Sequence, residues 1–243
     1  MTRTDLHPIS LTHNGRTLEG LVATPAHPDG ERPAVLVAHD ARGRGPFYRD
    51  KVLQLAELGY IGVALDMYGD GFHSEIPEEA GEHFVRFTTA PSLIRDRMLA
   101  WFEAVTELPL VNRRRIAALG YCFGGQCVLE LARAGADVRA VISYHGLLAT
   151  QAPATPGSIR GTVAVYTGSK DPYVPQEHIR ALQREMRDAG GELHLTEFSH
   201  AYHSFTNPKP PRGVESGMQY SALCDRISWA GTEALLAETL AAL

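Results

Sequence analysis

The chain is poor in cysteine: its 243 residues include only Cys122, Cys127 and Cys224. The number is odd and too small for the disulfide framework of a secreted protein, and the spacings do not fit a zinc site. The cysteines therefore argue against both a disulfide scaffold and a zinc site. We therefore expect reduced thiols. Cys127 is expected to pack in the core, since free cysteine is usually buried and unreactive.

Long apolar runs and clusters of charge of one sign are also missing. No stretch approaches the roughly 20 apolar residues of a membrane-spanning helix, and residues 1–10 lack the apolar segment of a signal peptide. The net charge is -5, and no basic run is longer than the three arginines 113–115. These features argue against a membrane or nucleic-acid partner and predict a cytoplasmic protein.

Histidine pairs are present, but none has the partners that a metal site requires. His200 and His203 are three residues apart, and His39 precedes Asp40. Neither pair has a convincing third and fourth ligand, so we expect no metal and no cofactor.

The pattern of apolar segments predicts the fold class. With 44% hydrophobic residues and no linker or repeat, the chain can bury the core of one domain over residues 1–243. Apolar segments on either side of Asn14-Gly15 predict an N-terminal antiparallel hairpin. Short apolar runs then alternate with helical segments such as 176–189, and a last helix is expected over about 215–242. This alternation predicts an α/β fold with a doubly wound, mostly parallel sheet.

The most informative motif is Gly120-Tyr121-Cys122-Phe123-Gly124, which follows an apolar run. It is a G-x-S-x-G nucleophile elbow with cysteine in place of serine, and the helical pattern of 126–134 supplies the required helix. A helix N-terminus stabilises thiolate, which makes Cys122 the candidate nucleophile, and the Phe123 N–H is placed to bind an oxyanion. The alternative is a tight turn with a structural cysteine.

In this architecture the acid and the histidine follow the nucleophile in that order, each on a loop after a later strand. Asp171 lies in the turn sequence after the apolar run 162–166. An aspartate chosen only for the turn is the alternative. The loop after the next predicted strand contains both His200 and His203, and spacing does not choose between them.

These motifs resemble the dienelactone hydrolase (carboxymethylenebutenolidase) family of α/β-hydrolases. The family's Gly-Tyr-Cys-x-Gly-Gly elbow matches residues 120–125, and its acid-bearing segment, which ends in Val-Pro, matches 168–175. A small residue and phenylalanine follow the family's histidine, as they follow His203. Residues 66–69 are similar to the family's Asp-Leu-Tyr, so the resemblance covers nearly the whole chain from about residue 15.

The resemblance implies an α/β-hydrolase fold and an activity. Cys122, Asp171 and His203 would be the catalytic residues, with His203 selected over His200. The implied function is hydrolysis of lactones or small carboxylic esters through an acyl-enzyme on Cys122, with a small molecule as the partner. The alternatives are a thioesterase or acyltransferase with the same residues, and a non-catalytic binding or redox-sensing homologue.

A second loop is expected to complete the oxyanion hole. Residues 39–43 follow the apolar run 34–38, where this fold supplies its second oxyanion N–H. The family has a glutamate at the position of Asp40, and its next residue donates the amide. The resemblance thus implies an oxyanion hole of Ala41 and Phe123, and an auxiliary role for Asp40 at the thiol. A plain loop or N-cap aspartate is the alternative.

The resemblance weakens at the substrate pocket. The family binds a substrate carboxylate with arginines, one of them shortly after the histidine, where this chain retains Ser204 but has Asn207. Arg86 is the candidate for another family arginine, with Arg95 as its competitor. Because asparagine cannot replace an arginine's charge, we expect less dependence on anionic lactones and acceptance of neutral esters.

Two further features are expected at the pocket. The segment 70–91, which glycines and prolines interrupt, is predicted to arch over it. Tyr144 ends the strand after the elbow helix, at the same edge, and completes the predicted substrate-binding set. His145 next to it is expected to support the site rather than take part in the chemistry.

Overall fold

The computed structural model describes residues 5–26, 30–210 and 213–241, whose strands form one eight-stranded sheet. In chain order the strands are β1 (Asp5–His13), β2 (Arg16–Thr24), β3 (Arg32–Ala38), β4 (Ile61–Ala64), β5 (Val111–Tyr121), β6 (Ala140–Tyr144), β7 (Thr162–Gly168) and β8 (Leu193–Phe198). Their spatial order is β1-β2-β4-β3-β5-β6-β7-β8. β1 and β2 pair antiparallel, as do β2 and β4, and all other neighbours are parallel.

The N-terminal hairpin forms as predicted. Asn14 and Gly15 connect β1 to β2 with left-handed φ angles of 52° and 72°. Asparagine and glycine tolerate this conformation best, which is why the Asn-Gly pair favours a tight hairpin turn.

Helices cover both faces of the sheet. They are α1 (Pro46–Glu57), α2 (Pro77–Thr88), α3 (Pro91–Thr106), α4 (Phe123–Arg133), α5 (Gln176–Ala189) and α6 (Ala222–Thr239). In β3, Leu36 packs in the core with residues of α3 to α5, whereas Val35 and Val37 pack with α1 and α6. Successive strand residues point to opposite faces, so a strand buried on both sides must be apolar throughout. The predicted doubly wound α/β-hydrolase fold is confirmed.

The C-terminal helix is shorter than predicted. Gly217, with φ of 75°, ends a short 3-10 helix at Val214–Ser216, and the next residue, Met218, forms an isolated parallel bridge with His203. The Ser221 hydroxyl then caps α6 by accepting the N–H of Cys224. The expected end of this helix at residue 242 lies outside the described residues. The segment before α6 is thus attached to the loop that follows β8.

The strand order places a crevice at one edge of the sheet. β3 lies between β4 and β5, so the chain leaves β3 toward one side and later returns on the other. Ligands of open α/β sheets bind where such connections diverge, outside the carboxyl ends of the strands. The loops after β3, β5, β7 and β8 carry the residues described next.

Within the part of the chain that the structure describes, no helix is both long enough and apolar enough to cross a membrane.

Candidate active site

Cys122 lies at the turn from β5 into α4, in a backbone conformation that L-residues rarely adopt (φ 55°, ψ -115°). Its N–H donates to the carbonyl of Tyr144, 3.0 Å away, which ties the turn to β6. A Cβ on Gly120 would lie 2.1 Å from the Gly124 oxygen, and one on Gly124 would lie 2.2 Å from the Ala38 oxygen. Only glycine fits at both positions, and the strained turn holds the partly exposed Cys122 at the N-terminus of α4.

Asp171 and His203 form a buried pair beside it. His203 Nδ1 lies 2.7 Å from Asp171 Oδ2, and the two side chains are 1% and 0% exposed. An ionised carboxylate only accepts hydrogen bonds, so Nδ1 carries a proton and donates it. Asp171 Oδ1 accepts the N–H of Tyr173 at 2.9 Å. Both carboxylate oxygens are therefore engaged, and Nε2 of His203 is left for the cavity that Cys122 also lines.

The neighbours of His203 shift its pKa. Burial lowers the pKa of His203, but the interactions with the adjacent Cys122 and the hydrogen bond to Asp171 outweigh it and raise that pKa from 6.5 to about 10. This raised pKa favours the protonated imidazole of His203 near neutral pH.

His200, the other histidine of this loop, is exposed and does not line the cavity. The choice of His203 from the family's motif therefore agrees with the geometry, although spacing alone does not make it. Among the described residues no three His, Cys, Asp or Glu side chains come together as a metal ion would require.

The loop after β3 presents a backbone N–H to the same cavity. Within the described residues, the N–H groups of Asp40, Arg42 and Gly43 have partners in or near the loop, while that of Ala41 has none. Ala41 and Cys122 both line the cavity. The N–H of Phe123, the first residue of α4, is free of the helix's own hydrogen bonds, as at any helix N-terminus. The two donors predicted for an oxyanion are thus available.

A buried network holds this loop in place. Met67 N–H donates to His39 Nε2 at 3.0 Å, so His39 carries its proton on Nδ1 and donates it to the Asp40 carbonyl at 2.7 Å. Burial lowers the pKa of His39, which keeps this neutral tautomer. The Tyr68 hydroxyl donates to the Ala41 carbonyl at 3.1 Å. Residues 66–69, which resemble the family's Asp-Leu-Tyr segment, therefore support the loop after β3.

Asp40 is placed differently from the thiol-holding carboxylate that the resemblance implies. Its oxygens accept hydrogen bonds from Arg42, through the backbone N–H at 2.9 Å and through Nη2 at 2.8 Å. Among the described residues it has no hydrogen bond with Cys122. Aspartate is one methylene shorter than the family's glutamate, and Arg42 lies within its reach. In the structure Asp40 therefore forms an ion pair with Arg42 and does not hold the Cys122 thiol.

The cavity above Cys122 has a volume of about 190 Å³ and is mostly apolar. α2 contributes four residues to one wall, and Tyr173 and Met218 stand near His203 on another. Arg42 is the only lysine, arginine, aspartate or glutamate among the described residues that line it. The lining residues are Ala41, Arg42, Pro77, Ala80, Gly81, Phe84, Cys122, Leu147, Tyr173, His203 and Met218.

None of the four residues predicted to bind substrate lines this cavity. Arg86 is exposed, because the cavity-facing positions of α2 are 77, 80, 81 and 84, on another face of the helix. Tyr144 hydrogen-bonds Thr232 of α6 in the core on the far side of the sheet. Ser204 is buried, and the Asn207 side chain accepts the N–H of Lys209.

Arg95, the alternative to Arg86, is paired elsewhere, and an arginine that was not predicted lines the cavity. Arg95 forms an ion pair with the buried Glu130 at 2.7 Å. Arg42, in contrast, lines the cavity, and sequence reasoning missed it. The signal was present as a charged residue directly after the oxyanion-loop alanine.

Comparison with known proteins identifies the family. The model of the dienelactone hydrolase family matches residues 18–240. A Caenorhabditis elegans relative, uncharacterized protein K02A2.1, is 32% identical over 151 residues, which are 61% of this chain and 95% of that protein.

Two solved structures agree. m3DLH superposes with a TM-score of 0.91 at 31% identity, over 98% of this chain and 99% of the other. A dienelactone hydrolase-like promiscuous phosphotriesterase from metagenomic libraries superposes with a TM-score of 0.90 at 28% identity, again over 98% and 99%. The chain therefore belongs to the dienelactone hydrolase family and, as predicted, is a hydrolase of lactones or carboxylic esters.

Proposed function

We propose that the protein hydrolyses lactones and small carboxylic esters through an acyl-enzyme on Cys122. The observation that supports this most directly is the position of Cys122, on a strained turn at the N-terminus of α4 and in one cavity with the His203–Asp171 pair. A nucleophile, a base and a group that orients the base are the parts that acyl transfer requires.

In the first half-reaction the Cys122 thiolate attacks the substrate carbonyl carbon, and the C=O electron pair moves onto oxygen. The N–H groups of Ala41 and Phe123 bind this oxyanion. When the tetrahedral intermediate collapses, the C–O bond breaks and the His203 imidazolium protonates the departing oxygen. A lactone opens in this step and stays attached to sulfur by its acyl end.

In the second half-reaction neutral His203 takes a proton from water, whose oxygen attacks the thioester carbon. The thiolate then leaves, and the carboxylic acid is released. Asp171 keeps the Nδ1 proton in place throughout, so that Nε2 is the nitrogen that exchanges protons. A thiolate is itself a good leaving group, which favours lactones and activated esters over amides.

The segment 70–91 is the proposed cover of the pocket. Four residues of its helix, at positions 77, 80, 81 and 84, form one wall of the cavity. A cavity of about 190 Å³ accepts a small acyl group, and an apolar lining suits a neutral one.

A substrate panel tests the proposal. We expect p-nitrophenyl acetate and small lactones to be turned over many times per molecule, and acid quenching to trap an acetyl group on Cys122 that mass spectrometry detects. Release of a single equivalent of nitrophenol would instead indicate a thiol that is modified without catalysis. Partitioning of the acyl group to an added alcohol or amine would indicate an acyltransferase.

Neutral phosphotriesters are a second candidate substrate class. The apolar cavity suits a neutral triester, and one similar structure is described as a promiscuous phosphotriesterase. Adding an aryl dialkyl phosphate to the panel tests this class. Multiple turnovers would support it, and a stable phosphorylated Cys122 after one equivalent would contradict it.

The raised pKa of His203 predicts the alkaline limb of the pH profile. Above about pH 10 the imidazole loses the proton that an alkoxide leaving group needs, so kcat/KM for an alkyl ester is expected to fall there. A p-nitrophenyl ester, whose leaving group departs without a proton, should fall less. Equal declines for both esters, in a pH range where circular dichroism shows the fold intact, would contradict the assigned role of His203.

A further inference from the structure

Arg42, which lines the cavity, is paired with two carboxylates. Arg42 Nη2 lies 2.8 Å from Asp40 Oδ2, and its Nη1 lies 3.0 Å from Glu75 Oε2. The two carboxylates thus outnumber the single guanidinium. An anionic substrate group that enters the cavity meets an arginine whose charge is already balanced.

The two carboxylates differ in how firmly they are held. The Asp40 side chain is 16% exposed and belongs to the same tight loop as Arg42. The Glu75 side chain is 66% exposed, precedes α2, and contacts Arg42 through one guanidinium nitrogen. His73 also faces it, with Nε2 3.3 Å from Glu75 Oε1. Glu75 is therefore the partner that can be removed without disturbing the loop that carries Ala41.

We infer that Glu75 determines the charge selectivity of the site by withholding the Arg42 guanidinium from the substrate. With Glu75 in place, all three nitrogens of the Arg42 guanidinium donate to Asp40 or Glu75, and esters with a neutral acyl group are preferred over esters with a carboxylate on that group. Without its charge, Nη1 becomes available to bind such a carboxylate. This inference rests on the proposed ester hydrolysis at Cys122.

Two esters of equal length test it: mono-4-nitrophenyl succinate, which is anionic, and methyl 4-nitrophenyl succinate, which is neutral. We expect E75Q to raise the ratio of kcat/KM for the anionic over the neutral ester by about fivefold, mainly through a lower KM for the anion. The gain should shrink in 0.5 M salt, because an exposed charge is screened. E78Q is the matched control, since it removes an exposed charge from the first turn of α2 without an ion pair to Arg42.

An unchanged ratio in E75Q would overturn the inference, and so would an equal gain in E78Q. A readout without turnover separates this result from a failure of the proposed function. Succinamate, which has the carboxylate but an amide in place of the ester, should bind E75Q more tightly than the wild type when it is titrated calorimetrically into both proteins. If the wild-type protein hydrolyses neither ester, the proposed function fails, and the calorimetric comparison alone decides the role of Glu75: no tightening overturns it.

Discussion

Cys122→Ala is expected to lower kcat for p-nitrophenyl acetate by about 10⁴-fold or more. In the proposed mechanism the substitution removes the atom that forms the acyl-enzyme and leaves only binding and the oxyanion hole, which alone give modest acceleration. Alanine is no more strained than cysteine at φ 55°, and the partly exposed side chain contributes little to the core. The thermal midpoint of unfolding should therefore change by only a few degrees.

The matched control is C224A, which removes a partly exposed thiol from α6. We expect it to retain wild-type kcat. Cys122→Ser gives a second comparison, because a serine hydroxyl is far less acidic than a thiol and depends more on a base to become a nucleophile. A C122A protein with substantial turnover would place the nucleophile elsewhere.

Asp171→Asn should cost about 10⁴-fold in kcat while the fold is kept. The asparagine amide can donate to Nδ1 of His203, which moves the ring proton to Nε2, the nitrogen that must accept a proton during catalysis. Loss of the carboxylate also removes a cause of the raised His203 pKa. The alkaline limb of the residual activity should therefore move to lower pH.

D188N controls for the loss of a carboxylate, since the Asp188 side chain is 74% exposed at the end of α5. Its kcat and pH profile should match the wild type. If D171N lost less than tenfold in kcat with its alkaline limb unmoved, the Asp171–His203 hydrogen bond would not orient a catalytic base.

How far the sequence predicted this molecule depended on the kind of signal available. α5 has the predicted bounds, residues 176–189, because Pro175 precedes it and Gly190, with a left-handed φ of 71°, ends it. The predicted last helix is too long, because the apolar pattern continues across Gly217 and Ser221, where the same kinds of breaking and capping residue are present. Glycine, proline and serine residues that break or cap a helix are therefore a more reliable guide to its ends than the apolar pattern is.

In the candidate site, too, some residues could be predicted from the sequence and others could not. Cys122, Asp171 and His203 each follow a strand at the same sheet edge, and topology alone brings such positions together. The pocket residues depend on which face of a helix points inward and on which partner a long side chain chooses. Arg86 is on the expected helix but on another face, and Asp40 is engaged by Arg42. A single sequence carries little information about either choice.

The bridge between His203 and Met218 has a consequence for how this enzyme can change its substrate range. The backbone of His203 donates to Gly217 and accepts from Gln219, so the strand-like segment that places Met218 in the cavity wall also holds the histidine. Among the described residues, the backbone of α2 has no hydrogen bond to Cys122, Asp171 or His203. New specificities are therefore more easily acquired through substitutions at Ala80 or Phe84 than at Met218. A substitution at Met218 that enlarges the pocket also alters the stretch of backbone that positions His203, the proposed base.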